Sequence, residues 1–372
     1  MWSTENFMQQ LMFLRPGKLE WWDVPAPRLE SDEDALVEPI AVARCDLDLG
    51  IIRGEAPFKG KLLHFIRNHA YRLISNTALG KAPFKGPYPF GHEFVAKVKN
   101  VGDRVKTVKP GDSVIVSFQI ACGKCDRCKA GLTNSCTSVP PRSMYGFGDL
   151  GGKGWGGAFS DLVRVPFADY MLIPLPASLS PADAASMSDN IPDGYRTVGP
   201  FLKRNPGSSV LVVGGGAKSV GLYSVMIARA MGSPVTYVDD DPQRNKIAES
   251  FGATILSKKY PDPSIQYPIT VDASANEEGL TFALRSLLPG GHCTSVGIYY
   301  KKKTSIPLLE MYGRGVTFQT GRVNVQPTLH DLLHLAEHPH FCPCKVTTLT
   351  ASWKDAPEAL LDAGPKVVIE RG

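Results

Sequence analysis

Four cysteines fall within a 15-residue window: Cys122, Cys125, Cys128 and Cys136. The spacing Cys-x2-Cys-x2-Cys-x7-Cys is that of a closed, tetrahedral four-thiolate metal site. Lys124, Arg127 and Lys129 interleave and partly offset the thiolate charge. An iron–sulfur cluster can use such spacing; zinc is favoured because a structural zinc needs no electron partner. A second chemical signal lies at Gly214-Gly-Gly-Ala-Lys-Ser-Val-Gly221, directly after the apolar run Ser208–Val213. Glycine there lets backbone approach a pyrophosphate seated on a helix N-terminus. The motif is not a clean Gly-x-Gly-x-x-Gly. Either two residues are added between Gly216 and Gly221, or Gly216 opens it and Lys218 replaces its middle glycine. Asp239 ends the next apolar run, where a carboxylate can hold both ribose hydroxyls. Such a carboxylate repels a 2′-phosphate, which favours NAD over NADP. Asp240 and Asp241 read as a solvated turn.

These residues need elements to position them. Up to about residue 170 the chain is rich in short strands such as Ala35–Ala43, Phe94–Val98 and Ser113–Phe118, punctuated by Gly, Pro and Asp. Gly146–Gly157 holds seven glycines in twelve residues and reads as a flexible loop. From about Leu175 the texture changes. Ser180–Ser188, Lys218–Met231, Pro242–Phe251 and Glu277–Leu288 read as helices; Ser208–Val213, Pro234–Asp239, Ile269–Ala273 and His292–Val296 read as strands. That alternation predicts a parallel sheet with helices on both faces, an α/β class. The tail returns to a mixed pattern, with a helix at Thr328–Glu337 and strands at Lys345–Leu349 and Lys366–Ile369.

Composition bounds the rest. The chain has 372 residues, 43% hydrophobic and 21% charged, ordinary globular values that exclude disordered and collagen-like chains. No apolar run is long enough for a membrane span. Met1–Glu20 shows no apolar signal region, so a cytoplasmic protein with thiolate metal ligands is expected.

Gly91-His92-Glu93, followed by Ala96, Gly102 and Val105, resembles the zinc signature of the medium-chain dehydrogenase/reductase family, with Ala96 where the family has Gly. The four-cysteine lobe, the Gly-Gly-Ala-Phe run at 156–159, the cofactor segment and the tail match as well. The chain is most similar to threonine- and formaldehyde-dehydrogenase-like zinc enzymes. The resemblance implies a GroES-like, mainly-β catalytic domain (1–170 and 323–372, with the zinc lobe at about 120–138) interrupted by a Rossmann cofactor domain (171–322). It also implies two zinc ions per chain, one catalytic and one structural. Cys45 and His92 match the first two catalytic zinc ligands, and Ser188-Asp189-Asn190 resembles the segment that supplies an acidic third, so Asp189 is assigned. Glu93 matches the glutamate beside the ligand histidine, either behind the metal or an alternative ligand. Asp48 matches the carboxylate that orients that histidine. Arg244 matches a position where a basic side chain touches the adenosine ribose. The implied reaction is hydride transfer between an alcohol or aldehyde and NAD, in a homodimer or homotetramer that binds no nucleic acid. One departure stands out: in Cys45-Asp46-Leu47-Asp48, Leu47 replaces the Ser or Thr that usually starts a proton relay. That departure keeps alive other reductive chemistry, such as reduction of an activated double bond, and a non-enzymatic binding role on the same fold.

Two features fall outside the resemblance. Ala-Pro-Phe-Lys-Gly occurs at 56–60 and again at 82–86. The offset of 26 residues equals the excess spacing between Cys45 and His92, so 56–81 reads as an insertion. Leu62, Phe65, Ile66, Ala70 and Leu73 share a helical face, which predicts a basic amphipathic helix. A lid or subunit contact is the leading role; a membrane-surface or acidic-partner helix and a solvated excursion are the others. The segment carries Lys59, Lys61, Arg67, Arg72, Lys81 and no acid, so it holds the whole net charge of +5. His330, His334 and His338 are four apart and could share a helix face as a third metal site, though an exposed helix face is the better expectation.

Overall fold

The computed structural model describes residues 7–54, 84–152, 154–256, 260, 265–301 and 303–372. The expected helix within 56–81 lies outside the described residues. The chain divides into two compact units. One comprises the described residues up to Asp189 with Asn324–Pro327 and Leu349–Gly372; the other comprises Asn190–Val323 and Thr328–Thr348.

The first unit is antiparallel. Its main sheet contains, side by side, Lys366–Glu370, Ala35–Arg44, Glu93–Val101, Ser113–Val116 and Leu172–Pro174. Val37, Ala41, Val42 and Ala43 are fully buried, as are Phe94, Val95 and Ala96 on the neighbouring strand. Each such apolar side chain larger than alanine contributes about 1.5–3 kcal/mol on leaving water. A hairpin of Phe7–Arg15 and Lys18–Pro25 forms a separate small sheet with Tyr88–Pro89. The glycine-rich stretch 146–157 is not the free loop that its composition suggests. It contains a 3-10 turn at Gly148–Gly151. At Gly157 a Cβ would lie 2.4 Å from the Phe90 carbonyl oxygen, and Ala158 N donates to the Gly91 carbonyl at 2.8 Å. Glycine serves there for close backbone packing beside His92.

The second unit carries a six-stranded parallel sheet in the order Thr254–Ile255, Val235–Val238, Val210–Val213, Tyr267–Asp272, Leu287–Ser295, Thr317–Thr320. The strand order reverses direction at Val210–Val213, the switch point where open α/β sheets bind ligands. The helix Lys218–Ala230 leaves that strand's end, and eleven of its thirteen residues are buried. A fifteen-residue helix, Asn190–Arg204, was not anticipated. Pro192, Gly194, Gly199 and Pro200 argue against a helix locally. Pro192 sits in the first turn, where proline is tolerated. Gly194 and Gly199 are needed for packing: a Cβ would lie 3.0 Å from Tyr223 Cβ at the first and 2.4 Å from the Tyr195 ring at the second. Tertiary packing outweighs propensity here.

Candidate functional site

Cys45 is the residue after the strand Ala35–Arg44, and His92 the residue before Glu93–Val101. The two strands pair antiparallel with Ala43 opposite Glu93, so Cys45 and His92 emerge side by side at one sheet end. Cys45 also N-caps the helix Asp46–Ile52: Asp48 N donates to its sulfur at 3.4 Å, while Cys45 N donates to the Asp48 carboxylate at 3.1 Å. This reciprocal cap holds Asp48 next to His92, with Nδ1 3.5 Å from Asp48 Oδ1. On the other side of the ring, Nε2 lies 3.4 Å from Asp189 Oδ2. Asp189 follows the 3-10 turn Ala185–Ser188. Ser188 fastens that turn, its hydroxyl donating to Phe94 O at 2.8 Å and accepting from Phe94 N at 2.9 Å.

The assembly is deeply buried. Cys45, Asp48 and His92 are 5%, 1% and 1% exposed, and their donor atoms lie within 4.8 Å of one another. His92, Glu93 and Asp189 meet the same limit. Burial, followed by the Asp48 charge, pushes the Cys45 thiol up to about 12. Burial opposes a charged His92, yet Asp48, Cys45 and Asp189 together hold its pKa well above the ordinary value. The donor atoms form two overlapping groups that share His92, one with Cys45 and Asp48 and one with Glu93 and Asp189, and the thiol, imidazole and carboxylate donors are of the kind a divalent metal takes. Phe118 and Phe147 pack on the imidazole, with ring centroids 5.4 and 4.7 Å away. Phe147 was not singled out in the sequence.

Glu93, grouped with His92 and Asp189, is also bound by Lys366. Successive residues of a strand face opposite ways, and Lys366 Nζ donates to both Glu93 oxygens, at 3.2 and 3.0 Å, with both side chains fully buried. Burial raises Glu93 to about 7, against the opposing Lys366 charge. Lys366, missed in the sequence, is marked there only as a lysine opening the apolar run Lys366-Val-Val-Ile.

The sulfurs of Cys122, Cys125, Cys128 and Cys136 also lie within 4.8 Å of one another, and none forms a disulfide. Backbone amides of Lys124 and Cys125 donate to Cys122 Sγ at 3.3 Å each, and the Ser138 hydroxyl donates at 3.1 Å. Amides from Thr137 and Cys128 bring Cys125 down to about 5, while burial raises Cys128 and Cys136. Four clustered sulfurs, two of them favouring thiolate, fit a thiolate-bound zinc.

At the other unit's switch point, the helix Lys218–Ala230 begins without a side-chain cap from Ala217, and helix N-termini favour anions. Gly216 N and Ala217 N donate to Ser274 O and Ala273 O, both at 2.9 Å. Gly221 faces Ala273, where a Cβ would come within 3.0 Å of that residue's own. Gly221 therefore allows close helix–strand packing, and Lys218 begins the helix where a middle glycine would stand. Gly214 lies under the Asp239 and Tyr237 side chains, with room for no Cβ. Asp239 is fully engaged: Tyr237 Oη donates to Oδ2 at 2.7 Å, Arg244 Nε to Oδ2 at 2.7 Å, Arg244 Nη2 to Oδ1 at 2.6 Å, and Asp241 N to Oδ1 at 3.1 Å. Arg244, expected on a ribose, thus lies on Asp239, because the helix Pro242–Ser250 turns it back over the strand end. Asp241 is more than a solvated turn residue, since its side chain caps that helix through Gln243 N and Arg244 N at 2.9 Å each.

The histidine face does not form. The helix Val325–Leu333 ends before His334, and His338 lies beyond it. Among the described residues these histidines belong to no group able to hold an ion.

The comparisons agree with this geometry. Residues 31–177 match the alcohol dehydrogenase GroES-like domain, and residues 219–338 match the zinc-binding dehydrogenase domain. A glutathione-independent formaldehyde dehydrogenase of Pseudomonas aeruginosa is 31% identical over 270 residues, 68% of this chain and 59% of that protein. A probable zinc-binding alcohol dehydrogenase of Mycobacterium tuberculosis is 30% identical over 269 residues, 69% of this chain and 66% of its own length. The alignments therefore span somewhat under two thirds of these relatives. The solved alcohol dehydrogenase of a Thermus species superposes with a TM-score of 0.82 at 26% identity, covering 98% of this chain and 100% of the other. The chain belongs to the zinc-dependent medium-chain dehydrogenase/reductase family of the alcohol dehydrogenase superfamily. Its fold is the α/β combination of a GroES-like domain and a Rossmann domain.

Proposed function

We propose that the protein is a zinc-dependent oxidoreductase that transfers hydride between a small alcohol or aldehyde and NAD. The observation that carries this reading is the buried His92, Nε2 toward Asp189 and Nδ1 toward Asp48, with Cys45 beside it. Cys45, His92 and Asp189 would hold a zinc ion whose Lewis acidity polarises the substrate oxygen. Asp48 Oδ1, 3.5 Å from Nδ1, would hold the proton there with metal bound, leaving Nε2 to ligate. Glu93, neutralised by Lys366, stays behind the ligands. Leu47 offers no hydroxyl, so Asp46, water or a distant hydroxyl would carry the proton, or the substrate is unusual. Cys122, Cys125, Cys128 and Cys136 would hold a second, structural zinc. Gly214, Gly216, Gly221, Asp239 and Arg244 form the cofactor edge. The buried carboxylate of Asp239 supports NAD rather than NADP.

Two copies pairing, in a dimer or a tetramer, is supported by Thr317–Thr320, which is an edge strand. The helix just before it in sequence exposes Leu309 and Tyr312 at 84% and 85%. No described helix is long and apolar enough to cross a membrane. The test is metal content together with NADH formation from a panel of alcohols, for the parent and Asp189→Ala. Two zinc ions per chain and turnover are expected, falling to one ion and none in the variant. Both ions surviving in the variant would remove Asp189 from the ligand set, and no hydride transfer by the parent would overturn the function.

A further inference from the structure

A cavity of about 280 Å³ opens in the second unit at the N-terminal ends of the parallel strands, opposite the glycine-rich edge. The sheet register creates it. Tyr267 pairs with Leu287, and the next pair is Ile269 with His292, so Leu288 to Gly291 bulge out against Pro268 alone. Pro289 has no amide hydrogen and Gly290 has φ +74°, so neither continues a regular ladder. The end of the helix Asn190–Arg204 closes the space. Phe201 stacks on His292 with ring centroids 4.8 Å apart and planes at 24°. The Arg204 guanidinium lies over the Phe201 ring at 5.2 Å.

The solvent-exposed Arg204 makes the cavity's mouth positive. Among the described residues Arg204 has no ion pair, and its recorded partner is the Phe201 ring. The neighbouring Lys203 is already paired with Asp331 at 2.9 Å. The helix terminus offsets only about half a charge. His292 Nδ1 is buried without a hydrogen-bond partner. Burial, and then the Arg204 charge, hold His292 below its ordinary value. Phe201, Pro268, Ile269, Leu288 and Pro289 supply apolar wall, and Asn205 and Ser208 add polar groups.

We propose that this cavity binds a small aromatic carboxylate, with the carboxylate on Arg204 and His292 and the ring against the proline and phenylalanine walls. Guanidinium matches a planar carboxylate through two parallel hydrogen bonds. The volume lies at the low end for ligand pockets, which suits a single ring. A bare phosphate would leave the apolar walls unfilled. The site is separate from the glycine-rich turn and is built from one unit alone.

The test titrates benzoate into the zinc-loaded full-length protein while following the histidine imidazole resonances, with His292 assigned from His292→Gln. A saturable shift of the His292 signal and a rise of its titration midpoint are expected. Arg204→Gln should weaken benzoate at least tenfold while NAD binding, measured by calorimetry, stays unchanged. Inorganic phosphate at the same concentrations should give no saturable shift. An unmoved His292 signal, unchanged benzoate affinity in Arg204→Gln, or phosphate acting as well as benzoate would each overturn the proposal.

Discussion

The first unit holds two candidate metal clusters built on opposite plans. The four cysteines come from one short stretch, and Cys125 is still partly exposed. Their sulfurs are supported by amides of the same loop. Cys45 and Asp189, each grouped with His92, reach it from distant segments that a strand register and one serine hydroxyl hold in place. The first is a loop whose four sulfurs are neighbours in sequence, so an ion bound there would tie the loop to itself. The second is a sheet end whose shape exists before any ion arrives. Loss of the ion should therefore unfold structure at the lobe and abolish chemistry at the sheet end.

That contrast can be broken in four ways, from the largest effect down. Cys136→Ser should lose one zinc per chain and at least about 5 kcal/mol of unfolding free energy, a fraction of what structural zinc gives small peptides. Metal analysis with urea unfolding checks this, and a variant as stable as the parent would erase the contrast. Lys366→Met leaves Glu93 buried without its partner and should cost about 3–5 kcal/mol. Adding Glu93→Gln should recover most of it; no recovery would mean that packing, not charge, is what Lys366 contributes. Asp48→Asn should weaken the catalytic zinc roughly 10- to 100-fold by loosening His92, while the melting temperature stays near the parent's. Competition with a chelator measures it, and a large drop in melting temperature would assign Asp48 to the fold instead. Tyr237→Phe removes one of four donors on Asp239 and should change NAD affinity about fivefold, equivalent to about 1 kcal/mol. Unchanged affinity by calorimetry would show that Arg244 alone sets the carboxylate.

The two clusters also differ in how far the sequence discloses them. The lobe is legible from spacing, because its ligands are local. Cys45 and Asp189 are single residues without a local pattern, and only family resemblance draws them out. Lys366 was invisible, since its partner Glu93 lies 273 positions away. Arg244 illustrates the limit of position alone: five residues beyond Asp239 it could reach outward to a ligand or back to the carboxylate, and the helix's start decides. The parallel sheet was legible because strand and helix periods alternate, whereas Asn190–Arg204 was hidden by two prolines and two glycines whose reasons are tertiary. The loop at 146–157 reversed its reading for the same cause, glycine serving contact and not freedom.

The ladder between Ala35–Arg44 and Glu93–Val101 has a consequence for length. The strands flanking the stretch from Gly54 to Phe84 are locked in register, so residues added between them cannot move Cys45 relative to His92. Closing a longer connection costs only about 0.6 kcal/mol per doubling. The repeated Ala-Pro-Phe-Lys-Gly thus sits where chain can be gained at little thermodynamic expense and without altering the ligand spacing.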